Sequence, residues 1–167
     1  MKKTIFLIFA SFLFIFTGCD ENDVWNEEQY IKQVYLVGIG EEGGMTIHTV
    51  SYAHERAEVL ASVAASGSMN PDMEVHCTLA EAPEGILAYN QKYKSITDIQ
   101  YQALPADNYT LSSMEAVIRV GETYGQMPIA INPEGLHCDS LYAIPLKMES
   151  CQEYPVSQAE TVVLFAI

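Results

Sequence analysis

The stretch that decides the fold is LYAIPLKME, residues 141–149. Every second residue from Tyr142 to Met148 is large and apolar, a spacing that places these side chains on one face of a β-strand. The sequence Asn132-Pro133-Glu134-Gly135, just before it, is typical of a turn. We therefore predict a strand with one buried face, entered through a turn.

The same pattern recurs along the chain, where runs rich in β-branched and aromatic residues alternate with turn residues. Strands are predicted at residues 30–37, 45–52, 58–65, 73–79, 109–111, 116–120, 124–132 and 161–167. Residues 38–44 are expected to form a hairpin loop between the first two strands. About eight or nine short strands at regular spacing predict an all-β fold, an immunoglobulin-like β-sandwich.

One segment departs from this alternation. Between residues 86 and 95, Ile86, Leu87, Tyr89, Asn90 and Tyr93 recur at helical spacing. A short helix lying across one end of the sheets is predicted here.

The N-terminus has the order of a secretory signal peptide. Lys2 and Lys3 precede an apolar run at residues 5–16, and the small residue Gly18 precedes Cys19. The apolar run is shorter than the roughly 20 residues that span a bilayer. Phe16-Thr17-Gly18-Cys19 resembles a bacterial lipobox, and this resemblance implies that Cys19 becomes the first mature residue and carries lipid.

We therefore divide the chain into a lipoprotein signal peptide (1–18), an acidic lipidated tether (19–29) and a β-sandwich domain (30–167). The acidic run after Cys19 is similar to the signal that exports Bacteroidetes lipoproteins to the cell surface. The expected location is thus the outer membrane, exposed at the surface through the N-terminal lipid. A solvated tether without a sorting role is the alternative, since residues 20–28 are mainly acidic or amide.

The charge balance excludes one class of partner. The chain has 22 acidic and 8 basic residues and a net charge of −14. Removal of Lys2 and Lys3 with the signal peptide lowers it to about −16. Nucleic acid, which binds basic surfaces, is not an expected partner.

The cysteines are expected to form no structural disulfide. With Cys19 assigned to lipid, Cys77, Cys138 and Cys151 remain. Cys77 alternates with apolar residues from Met73 to Leu79, which predicts a core thiol. Cys138 and Cys151 flank the predicted strand 141–149, so they should lie about 25 Å or more apart, too far for a disulfide.

No pattern in the sequence indicates catalysis or a cofactor. Gly38-Ile39-Gly40-Glu41-Glu42-Gly43 has the letters of a dinucleotide fingerprint, but a strand follows where that motif requires a helix. The four histidines lack metal-ligand spacing with the cysteines, and His48 and His76 are expected at solvent-facing or lateral strand positions. No nucleophilic group or carboxylate pair stands out. We expect a protein that is not an enzyme and has no metal or cofactor.

Tyrosine is the one enriched side chain, with ten copies against one tryptophan. Exposed aromatic rings can stack on sugars, and a tyrosine hydroxyl can bond a sugar hydroxyl. Tyr142 is expected in the core. Tyr89, Tyr93 and Tyr101, on the helix and the loop after it, are expected to be the most exposed and are the candidate glycan contacts, with core packing as the alternative.

Several turn and strand-edge motifs together resemble a known family, a Bacteroidetes surface-lipoprotein domain of unknown function. They are Lys32-Gln33-Val34-Tyr35-Leu36-Val37-Gly38, Leu104-Pro105, Asn108-Tyr109-Thr110-Leu111, Val120-Gly121-Glu122, Met127-Pro128-Ile129, Asn132-Pro133-Glu134-Gly135-Leu136 and Tyr142-Ala143-Ile144-Pro145-Leu146. The family occurs at the N-terminus of glycan-utilisation lipoproteins, including family-18 endo-β-N-acetylglucosaminidases. The resemblance implies a sandwich that serves as a glycan-binding or spacer accessory. Its expected partner is a glycan or an outer-membrane uptake complex. It supplies no catalytic residue.

A structural or adhesive, fimbria-like subunit is the alternative function. The apolar residues 161–167 would suit strand exchange with a neighbouring sheet. The family often continues into a further domain, so the end at Ile167 fits either a standalone module or a piece of a longer protein.

Overall fold

Two β-sheets form the fold in the computed structural model, which describes residues 27–38, 44–51, 56–158 and 162–167. The strands of the first sheet are β1 (Val34–Leu36), β3 (Ala57–Ala65), β6 (Tyr109–Leu111) and β8 (Tyr124–Ile131). Their order is β1-β3-β8-β6, and all pairs are antiparallel. The predicted all-β sandwich is confirmed.

The second sheet is built around one long strand. Its strands are β2 (Met45–Ile47), β4 (Val75–Glu81), β5 (Tyr101–Ala103), β7 (Glu115–Ile118), β9 (Leu141–Cys151) and β10 (Val162–Ala166). The order is β2-β10-β9-β4-β7, and β5 pairs with β9 beside it. The β2–β10 and β5–β9 pairs are parallel, and the other pairs are antiparallel.

The main core lies between the two sheets. Along β8, inward and outward residues alternate without exception, so Met127, Ile129 and Ile131 are buried as predicted. Tyr142 is buried, also as predicted. A Cβ at Gly125 would lie 2.6 Å from the carbonyl oxygen of Val117 in β7. Glycine at this position therefore lets the two sheets approach each other closely.

The helix α1 (Glu84–Tyr93) packs on the outer face of the second sheet, not across one end of the sheets as predicted. Val163 and Phe165 of β10 belong to the main core, whereas Leu164 and Ala166 belong to a second cluster with Ile86 of the helix. Alternate residues of a strand point to opposite faces. Strand β10 is therefore covered on both sides, and so is β9, whose residues 142–146 are all buried.

The sequence did not predict which strands pair. Strand β1 pairs with β3 in one sheet and β2 pairs with β10 in the other, so the predicted β1–β2 hairpin is wrong. Residues 39–43 of that connection lie outside the described residues. Strand β5 was not predicted, and Met73, expected in the core, is 48% exposed and precedes β4.

The N-terminal predictions lie largely outside the described residues, which begin at Glu27. Glu28, in the predicted tether, contacts the turn between β3 and β4. Its carboxylate accepts hydrogen bonds from the backbone N–H of Ser68 at 2.7 Å and of Met69 at 3.2 Å, and it pairs with Lys32 at 3.0 Å. Across the described ranges, no helix has the length and apolar character needed to cross a bilayer.

Candidate functional site

The three tyrosines predicted from the sequence come together in the structure. Tyr89 and Tyr93 are one helical turn apart in α1, and their ring centroids are 4.8 Å apart. Tyr101, at the start of β5, meets Tyr89 edge to face at 5.7 Å. We call Tyr89, Tyr93 and Tyr101 with the adjacent Lys92 and Lys94 the tyrosine surface.

A buried asparagine connects the two elements that carry these rings. The side-chain amide of Asn90 donates to the carbonyl oxygen of Tyr101 at 2.8 Å and accepts from its N–H at 2.9 Å. The Asn90 side chain thus satisfies both backbone polar groups of Tyr101. Sequence reasoning placed Asn90 on the helix but did not identify this role, since its partner lies in the strand that was not predicted.

Two lysines lie over the rings. The Lys92 ammonium is 5.0 Å from the centroid of Tyr93, and the Lys94 ammonium is 4.9 Å from that of Tyr101. Both distances are typical of cation–π contacts. The tyrosine surface therefore combines aromatic rings with two positively charged ammonium groups, although the chain as a whole is strongly acidic.

Burial differs among the three rings. Tyr93 is 44% exposed, whereas Tyr89 and Tyr101 are half-buried and pack against the cluster beneath α1. The prediction that these three are the most exposed tyrosines is wrong, because Tyr30 and Tyr124 are more exposed than Tyr93. Tyr89 and Tyr101 are thus partly engaged in core packing. Among the three tyrosines, Tyr93 has the most exposed side chain.

Apolar side chains are also exposed on α1 and on the loop that follows it. Leu87 of α1 is exposed, as are Ile96 and Ile99 in the loop between α1 and β5, and Ile96 is fully exposed. The side-chain amide of Gln100 and the carboxylate of Asp98 hold this loop through bonds to the Ser95 backbone. These hydrogen bonds order the loop, which exposes Ile96 and Ile99.

Two concave regions lie elsewhere. One, of ≈ 290 Å³, is lined by Arg56, Asp107, Tyr109, Thr110, Ala130, Ile131 and Asn132, and the other, of ≈ 410 Å³, by Val117, Arg119, Glu122, Tyr124, Gly125 and Gln126. In the first, the Tyr109 hydroxyl donates to Glu81 at 2.6 Å, and burial followed by this carboxylate raises the pKa of Tyr109 to about 12. Neither region includes a residue of the tyrosine surface.

His48 and His76 differ in their burial. His48 stacks on Phe165 with centroids 5.8 Å apart, and burial lowers the pKa of His48. It is therefore half-buried, whereas His76 is exposed. In the part of the chain that the structure describes, no three His, Cys, Asp or Glu residues are grouped closely enough to hold a metal ion.

Comparison with known proteins identifies the family. Residues 30–155 match a family model described as a "-like, N-terminal domain", and this match covers well over half of the chain. The chain belongs to this family. The sequence-based resemblance is confirmed, since solved structures of the same fold are Bacteroides proteins of unknown function and an endoglycosidase. No curated protein sequence matches the chain.

Solved structures share the fold at low sequence identity. A candidate carbohydrate-binding protein of Bacteroides ovatus has a TM-score of 0.62 at 19% identity, over 80% of this chain and 36% of its own. EndoBT-3987 of Bacteroides thetaiotaomicron, solved with a Man5GlcNAc product, has a TM-score of 0.58 at 14% identity, over 80% and 30%.

An auxiliary nutrient binding protein of Bacteroides thetaiotaomicron has a TM-score of 0.54 at 13% identity, over 73% of this chain and 43% of its own. This chain therefore spans less than half the length of each of these three proteins. At such identity the likeness shows the shared fold.

Proposed function

We propose that this chain is a non-catalytic glycan-binding accessory domain of a glycan-utilisation system. The observation that carries the proposal is the convergence of Tyr89, Tyr93 and Tyr101 beside Lys92 and Lys94. The family consists of N-terminal domains, and two proteins that share the fold are described by carbohydrate or nutrient binding. Those descriptions support a glycan-related role.

The chemistry of the tyrosine surface suits a sugar. The apolar face of a pyranose can lie on the Tyr93 ring, while tyrosine hydroxyls and lysine ammonium groups bond its hydroxyls. An exposed cation–π contact contributes only about 0.5–1 kcal/mol, so a sugar can displace Lys92 from the ring. Asn90 holds Tyr101 in place beforehand, which lowers the entropy cost of binding.

The test is an affinity screen of the full chain, in detergent, against host and dietary glycans by calorimetry. Tyr93→Ala should weaken binding about ten-fold or more, the effect of losing one stacked ring. Tyr124→Ala is the matched control, because Tyr124 is also exposed but lies in β8. Its affinity should equal that of the wild type.

Two results would contradict glycan binding at this surface. One is no binding of any glycan at millimolar concentration, which would leave a spacer role for the domain. The other is an equal loss of affinity in Tyr93→Ala and Tyr124→Ala, which would show that the tyrosine surface is not the site.

We also propose that lipid on Cys19 anchors the domain to the outer membrane, exposed at the cell surface and within reach of an uptake complex. The support is the lipobox-like sequence Phe16-Thr17-Gly18-Cys19, and stable anchoring needs more than one acyl chain. Cys19→Ala should leave the protein unprocessed or release it, as measured by cell fractionation. A variant that is processed normally and still remains with the membrane would refute this role of Cys19.

The strand-exchange alternative gains no support from the described residues. Strand β10, the proposed donor, lies inside its own sheet, paired with β9 on one side and β2 on the other. Its exchange would break both sets of pairs and expose Val163 and Phe165 of the main core.

A further inference from the structure

Two cysteines on adjacent strands are direct partners. Cys77 of β4 pairs in register with Cys151 of β9, in an antiparallel arrangement. Opposite residues in such a pair have Cα atoms about 4.5–5.5 Å apart. This separation lies within the range of about 4.4–6.8 Å that disulfides adopt.

Their thiols also share one environment. Cys77 is fully buried in the main core, and Cys151 packs against the same core while remaining partly accessible. The Cys151 thiol in addition lies 3.5 Å from a carboxylate oxygen of Glu153, which accepts from the His76 N–H at 2.9 Å.

We propose that Cys77 and Cys151 are an oxidation site and form a cross-strand disulfide when the protein meets a disulfide-bearing oxidant. Outside the cytoplasm, where the predicted signal peptide would place the chain, such oxidants sustain disulfides. The sequence-based argument against a disulfide concerned Cys138 and Cys151, whereas the strand register pairs Cys151 with Cys77.

The reaction is two successive thiol–disulfide exchanges. The more accessible Cys151 loses its proton and attacks the oxidant, forming a mixed disulfide and releasing one thiolate. Cys77 then loses its proton and attacks the Cys151 sulfur, and the second half of the oxidant leaves as a thiolate. The two cysteines together lose two protons and two electrons, and the oxidant disulfide is reduced to two thiols.

The second exchange should be the slow one. Burial, together with the neighbouring Cys151 and Glu153, raises the pKa of Cys77 to about 12. Because the thiolate is the attacking species, closure should accelerate as pH rises.

The experiment uses the full chain carrying Cys19→Ala and Cys138→Ala, which leaves Cys77 and Cys151 as its two cysteines. The folded protein is incubated with oxidised glutathione at mildly alkaline pH, remaining thiols are alkylated, and peptides are mapped by mass spectrometry. We expect one peptide pair joined through Cys77 and Cys151, with two hydrogens lost. The melting temperature should rise by roughly 5–10 °C and return to its original value with dithiothreitol.

The matched control carries Cys77→Ala together with Cys19→Ala and Cys138→Ala. It should stop at a glutathione adduct on Cys151, with no joined peptides and no reversible rise in melting temperature. The proposal is overturned if Cys77 and Cys151 both remain alkylatable after oxidation, with alkylation performed in denaturant. It is equally overturned if they join only after the protein is unfolded.

Discussion

At the scale of single residues, Asn90 contributes more to the candidate site than its place in the sequence suggests. A buried amide costs free energy unless its polar atoms are bonded. Here both its oxygen and its nitrogen bond the backbone of Tyr101. One side chain therefore fixes the distance between α1 and β5, and with it the arrangement of the three rings.

Asn90→Ala should destabilise the protein and disturb the tyrosine surface. The Tyr101 N–H and C=O lose their bonds to the Asn90 side chain, which costs about 1–3 kcal/mol. The melting temperature should fall, and the affinity for any glycan bound at the surface should fall with it. Gln91→Ala, at an exposed position of the same helix, is the control and should change neither quantity. An unchanged melting temperature in Asn90→Ala would contradict this account of Asn90.

At the scale of helices and strands, local alternation was sufficient to predict most elements. Strand β8 alternates strictly between buried and exposed residues, so its inward face could be assigned from the sequence. The helix was predicted at 86–95 and lies at Glu84–Tyr93, so its position in the sequence was predicted closely. The prediction of where it packs was wrong. Periodicity reports which face of an element is buried, and not against what it packs.

Pairing between strands depends on contacts far apart in sequence. The connection between β1 and β2 looks like a hairpin, yet each strand finds its partner in a different sheet. Strand β5 is short and pairs in parallel with β9, so no local pattern marks it. For the same reason the sequence identified Tyr89, Tyr93 and Tyr101 individually but could not indicate Asn90 as the link between them, nor the pairing of Cys77 with Cys151.

At the scale of the whole molecule, the join between the N-terminal segment and the domain is electrostatic. The Ser68 N–H, the Lys32 ammonium and the Tyr30 N–H all bond the Glu28 carboxylate and hold its pKa well below the usual value of 4.5. Glu28 thus ties the segment that leads back toward Cys19 to the turn between β3 and β4.

The contribution of Glu28 to stability should depend on pH. Because folding lowers its pKa, the ionised form is favoured in the folded state, and the stabilisation is fully present above the unfolded pKa near 4.5. It should be lost as pH falls below that value. In melting experiments from neutral to acidic pH, the wild type should lose more stability than Glu28→Gln, and the difference between them should shrink at the acidic end. A difference that is constant across this range would mean that Glu28 acts through its shape and neutral hydrogen bonds, and not through its charge.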